Sequence, residues 1–146
     1  NIHIHITGNY KGKVNTEDVP SNVKLLGFIP DNIYWSLISS VDGVIILTKR
    51  ENCLVCGAYE AVSVHKPMIL SNTQAIRSYF TSGCLYTNPT ILDIKSTISQ
   101  FIENKDVLQL EVKVLAQQLR QSWDVDFANL ITWLAIQKCL SLSSKK

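Results

Sequence analysis

Two short apolar runs constrain this chain more than anything else in it. Gly43 to Thr48 (GVIILT) is a continuous run of strand length rich in β-branched residues, and Met68 to Leu70 (MIL) is a second. Runs of that kind, without alternation, belong to strands buried on both faces, as in parallel sheets. Between them lie a polar loop, Lys49-Arg50-Glu51-Asn52, a Cys53-x-x-Cys56 pair, Gly57, and a helical stretch that carries Glu60. The order is strand, charged loop, helix, strand. In open α/β sheets ligands gather outside the carboxyl ends of strands, where helix N-termini point, so this loop is the expected place for a site.

The rest of the chain repeats the alternation. Asn1 to Thr7 sets Ile2, Ile4 and Ile6 against His3, His5 and Thr7, the period of a strand with one apolar face. Gly8 to Asn22 is polar and without helical period, and is expected to be an irregular crossover. Val23 to Phe28 predicts a second strand. Asp31 is expected to cap a helix that carries Ile33, Tyr34, Trp35, Leu37, Ile38 and Val41. After the central stretch, Asn72 or Thr73 caps a helix with Ala75, Ile76, Tyr79 and Phe80 inward, ended by Gly83. Cys84 to Thr87 is a further strand. Thr90 and Asp93 form a capping box for a helix over 91–104, with Ile94, Ile98, Phe101 and Ile102 at helical spacing. Two more amphipathic helices are predicted, from Asp106 to about Gln121 and from Val125 to about Leu142, with the bend at Trp123. Five strands alternating with helices predict an α/β fold, a Rossmann-like, doubly wound, mostly parallel sheet with C-terminal helices.

With 146 residues, 46% hydrophobic and 18% charged, the expectation is one domain over residues 1–146 with its own core. A net charge of +2, spread along the chain, gives no concentrated basic face and no reason to expect nucleic acid. Four cysteines without a regular framework suit a reducing, cytoplasmic compartment better than a disulfide scaffold. No apolar run reaches membrane-spanning length, and the N-terminus has no signal-peptide core. Asn1 in place of an initiator Met is read as the start of a fragment, and Lys145 and Lys146 as a short basic tail.

Three chemistries compete at the central loop. A CxxC pair after a strand and opening a helix is the arrangement of thiol oxidoreductases, because a helix N-terminus stabilises a thiolate. Here Glu51 stands beside it, which opposes a thiolate, and Leu54 and Val55 between the cysteines look like packing residues. Structural zinc on Cys53, Cys56 and His65, or a metal on His3 and His5, lacks a complete ligand set in sequence, so no metal is expected. The third reading is anion and diol binding. Glu60 lies about one turn into the helix, Gly57 lets a phosphate approach the free amides, and Lys49 and Arg50 face phosphates. A carboxylate there accepts two hydrogen bonds from a ribose-like diol. Against it stands the plainer role of Glu60 as a complement to the helix dipole, with solvated loop charges. Physics alone leaves these two even.

The segments REN-CLVCGAYEAVSVHKPMILSNT and VKLLGFIPDNIYWSLISSVDGVIIL resemble the C-terminal domain of GT-B retaining glycosyltransferases, the large family 4 group. The likeness covers about residues 1–104 and rests on the order and spacing of several motifs. It implies that Glu60 is the second glutamate of the family's Glu-x7-Glu motif, holding the ribose hydroxyls of a nucleotide-sugar. Glu51 is then the first, catalytic glutamate beside the donor sugar, although eight residues rather than seven separate the pair. Either the loop carries one extra residue or another polar loop residue faces the sugar. Asn52, Cys53, Leu54 and Val55 match the loop whose amides approach the sugar and phosphates, Arg50 and Gly57 joining them as donor-binding residues on the charge and close-approach argument above, and Phe28, Ile29 and Pro30 match the turn that packs on the base. His65 stands where the family has Gly, and Asn72 where it has Asp. Lys11 and Lys13 do not match the family's phosphate-binding Arg and Lys pair.

The resemblance implies a donor substrate but no cofactor, a carbohydrate or lipid-linked acceptor, and a missing N-terminal domain. For the full enzyme it implies a place in polysaccharide biosynthesis and peripheral membrane association. Trp123 and Trp133 would belong to an interface with the missing domain. A nucleotide-sugar epimerase, a non-catalytic nucleotide- or protein-binding module and a CxxC oxidoreductase are the alternatives.

Overall fold

A computed structural model describes residues 2–143, with side chains to residue 138. The Lys145–Lys146 tail and the Cys139 side chain lie outside the described residues. The protein is α/β, with every strand pairing parallel, and its contacts divide it into two compact units, residues 1–40 and 41–146.

The first unit holds β1 (Ile4–Thr7), β2 (Val23–Gly27) and α1 (Asp31–Ser40). β1 and β2 pair in parallel from Ile4 opposite Val23 to Thr7 opposite Gly27. The crossover is irregular as expected, apart from one 3-10 turn at Thr16–Asp18 capped by Asn15. Helix α1 begins one residue earlier than a cap at Asp31 would require. The Pro30 carbonyl accepts from the amides of Ile33 and Tyr34, and Asp31 is already helical. Of the apolar residues assigned to α1, Ile38 is buried, Tyr34 and Leu37 are half-buried, and Ile33 and Trp35 are exposed.

The second unit holds β3 (Val44–Ile46), α2 (Cys56–Ser63), β4 (Met68–Ser71), α3 (Gln74–Tyr79), β5 (Cys84–Thr87) and α4 (Ile91–Ser143). Its sheet runs β3-β4-β5, with Val44 opposite Met68 and Met68 opposite Cys84. The five expected strands are therefore present but lie in two small sheets. β4 is central, and all four of its residues are buried. Ile69 packs with Phe101 and Leu108 of α4, flanked by Leu85 and Ile98.

Three expected features came out differently. The helices placed at 91–104, from Asp106 and from Val125 are one continuous helix of 53 residues, with Trp123 inside it. The stretch from Ile91 onward contains neither Gly nor Pro, so nothing ends the helix once started. Asn104, where a break was expected, instead donates its side-chain amide to the Gln100 carbonyl one turn back. Of the capping box expected at its start, the Asp93 amide donates to Thr90 Oγ1 at 3.1 Å, while the Thr90 amide goes to the Asn88 carbonyl at 2.8 Å rather than to the Asp93 side chain. Gly83 does not cap α3, which ends at Tyr79 with Phe80 as its cap. Gly83 has φ +67°, and a Cβ there would sit 2.5 Å from the backbone of Val112, so it lets α4 cross close to the start of β5.

Candidate functional site

In a parallel sheet every strand ends at the same edge, and here that edge carries a hydroxyl from each strand. Thr48 lies just past β3, Ser71 ends β4 and Thr87 ends β5. The Thr48 amide donates to Ser71 Oγ at 2.7 Å, with Ser71 only 3% exposed, so the start of the β3 loop is tied to the central strand. Beside them Asn72 Nδ2 donates to Asn88 Oδ1 at 3.2 Å, and Arg77 donates to Asn72 Oδ1 at 3.0 Å while lying 4.4 Å over the Tyr86 ring. Sequence reading singled out none of Ser71, Arg77, Tyr86 or Thr87 as site residues. The available signal was the recurrence of Thr or Ser where each strand ends.

From this edge the chain runs through Leu47–Val55 into α2. Lys49, Arg50, Glu51 and Asn52 are exposed, and the Arg50 amide donates to Thr48 Oγ1 at 3.1 Å. Cys53 is half-buried and donates its thiol to the Leu54 carbonyl at 3.4 Å, and Leu54 is partly exposed. Cys56 is the first helical residue and is exposed.

The start of α2 differs from those of its neighbours. Thr73 caps α3 through the Ile76 amide, and Thr90 caps α4, whereas α2 begins after Val55, whose side chain makes no capping bond. Its first turn carries no acidic residue either. The Ala58 amide donates to the Val55 carbonyl at 3.0 Å, and the positive dipole end, with no side-chain cap and no acid, favours an external anion. Glu60 follows in the same helix and is half-buried. Gly57 has a packing role: a Cβ there would meet Ile46 Cγ1 at 3.1 Å, so glycine lets α2 lie close on β3. Tyr59 anchors the helix further, its ring 5.3 Å from that of Tyr79 and 5.2 Å from that of Phe80.

At its other end α2 closes with paired bonds, Lys66 N–H to Ala61 O at 2.8 Å and His65 N–H to Val62 O at 3.0 Å. His65 holds the left-handed position there at φ +56°. A glycine is the usual occupant of that position, and the resemblance expected one.

Ile29 and Pro30 belong to the other unit, in the turn between β2 and α1. Beside them a shallow groove of about 440 Å³ lies at the carboxyl ends of β1 and β2, lined by Gly8, Asn9, Tyr10, Lys11, Leu26, Gly27 and Phe28. Phe28 is 85% exposed. His3 and His5 are exposed, and among the described residues no group of three or more His, Cys, Asp or Glu side chains is placed to hold a metal ion. Also among the described residues, no helix is long and apolar enough to cross a membrane.

Neither a model of any known protein family nor any curated protein matches this chain.

Proposed function

We propose that the chain is the donor-binding domain of a GT-B retaining glycosyltransferase, a cytoplasmic enzyme that takes a sugar from a nucleotide-sugar. The observation that carries the reading is the join of loop and helix. An accessible loop with Lys49 and Arg50 leaves the carboxyl edge of a parallel sheet and enters α2 through an uncapped N-terminus, with Glu60 in the same helix. That arrangement offers amides and positive charge to a diphosphate and a carboxylate to a diol.

In this reading the α2 amides stabilise charge building on the leaving diphosphate, the preorganised electrostatic term that dominates many enzymes. Glu60 holds the ribose hydroxyls, and Glu51 stands beside the donor sugar. The acceptor, carbohydrate or lipid-linked, is bound by a domain outside this sequence, so the chain alone binds donor without turnover.

Calorimetric titration with UDP, GDP and ADP tests the reading. One of them binds, and Glu60→Ala weakens it by roughly tenfold, the worth of hydrogen bonds to a charged group. Silence from all three nucleotides removes the donor site. Cys56, exposed at the first position of α2, is the observation on the side of thiol chemistry. A thiol titration that places its pKa well below ~8.5 would favour that alternative.

A further inference from the structure

The far half of α4 presents an apolar face that its own unit does not cover. Phe101, Leu108, Val112 and Leu115 are buried. At 3.6 residues per turn, Trp123, Phe127, Leu130 and Leu134 continue the same stripe of the helix, and these are 48–63% exposed. Trp123 and Phe127 stack on one another, with ring centroids 6.0 Å apart. The steps of four, three and four residues between these side chains are those of a helix-pairing seam.

We propose that this stripe, Trp123 included, pairs antiparallel with the same stripe of a second copy of the chain rather than with a missing domain. Direction follows from the first half of the helix. A parallel partner would run back along the face that Phe101 to Leu115 already press onto the sheet, a space that is filled. An antiparallel partner runs away from that sheet. Charge agrees: Asp124 is already held by Arg120 one turn back at 3.3 Å, which leaves Asp126 as the acid at that end of the stripe. Parallel pairing would stack Asp126 on Asp126 of the second copy, whereas antiparallel pairing moves the two apart.

The area also suits a second copy. With Ile131 and Trp133 beside the stripe, six large side chains about half exposed offer on the order of 600 Å² per copy, near the ~800 Å² a side of stable complexes. A lipid surface fits worse. Helices that lie in a membrane interface carry Lys and Arg on their polar face, and from Gln121 to Lys138 this one has two acids and a single base.

Sedimentation velocity on the intact chain, from ~1 to ~100 μM, reads the proposal directly through mass action. The expected result is a monomer–dimer equilibrium reaching twice the chain mass. Leu130→Glu, at an exposed position, should give a monomer throughout with an unchanged far-ultraviolet spectrum. Asp126→Asn should leave the dimer unchanged. A wild-type monomer at the highest concentration leaves the face to another domain and overturns the proposal, and so does a monomer that sediments only with phosphatidylcholine–phosphatidylserine vesicles. A dimer that Asp126→Asn tightens several-fold overturns the antiparallel arrangement.

Discussion

The two halves of α4 share one helix and one apolar stripe, yet only the first half has a body to lie on. From Phe101 to Leu115 the stripe is buried, against Ile69 of the central strand among others, and α4 crosses so close to β5 that Gly83 is required beneath it. From Trp123 to Leu134 the same spacing points at solvent. Periodicity sets which face of a helix is apolar. It does not say what covers that face, or whether the cover belongs to the same chain.

The hardest test of this contrast is Gly83→Ala. A methyl group 2.5 Å from the Val112 backbone, on a residue at φ +67°, should destabilise the fold by about 3 kcal/mol or more, read by urea denaturation. A loss below ~1 kcal/mol would mean that α4 is not held where it crosses β5. Next come matched truncations. Leu115→Ala, at 1% exposure, should cost about 2–5 kcal/mol. Leu134→Ala should stay within ~0.5 kcal/mol at low protein concentration and cost more as concentration rises. Equal costs that do not depend on concentration would erase the distinction between the halves.

A milder lever is alkaline pH, acting on the strand that α4 covers. Burial pushes the Cys84 thiol above its ordinary value of 9.0. Burial, then the neighbouring Cys84 thiol, pushes the Tyr86 phenol above 10.0. Both side chains donate to the Phe80 carbonyl, which they can do only while protonated. The unfolded chain ionises first, so this stability is complete below about pH 9 and declines as pH rises beyond it. Chemical denaturation at pH 8 and pH 10 checks the sign, and Cys84→Ser with Tyr86→Phe should flatten the profile. The smallest effect expected is a gain. His65→Gly relieves a left-handed residue at the end of α2 and should stabilise by about 0.5–1 kcal/mol, read as a rise in Tm. The Gln109 side chain still donates to the residue 65 carbonyl in that variant, so the tie from α4 to this turn is kept.

Much of the fold was legible because local chemistry and tertiary context agree. Met68–Leu70 and Cys84–Thr87 read as strands and are strands, and Thr73 and Thr90 cap the helices they were expected to cap. The misreadings share a cause: signals taken as terminal were used otherwise. Asn104 bonds back along its own helix, Trp123 stacks on Phe127 within it, and Gly83 serves a helix crossing rather than a helix end. At the candidate site, sequence order put Glu51, Asn52, Cys53, Leu54 and Glu60 on one loop and helix. The hydroxyl edge of Thr48, Ser71 and Thr87 needed the strand register to be seen, because its members are far apart in sequence.

By itself, then, the sequence determined the kinds of element and their order, since apolar runs, caps and the lack of breakers act over a few residues. It also placed the charged loop at a helix start. Only the tertiary structure decided that five parallel strands fall into two sheets, that α2 enters uncapped beside a tied loop, and that one stripe of α4 is half covered. Those outcomes depend on which distant surfaces exclude water from each other, and spacing along the chain carries no record of that.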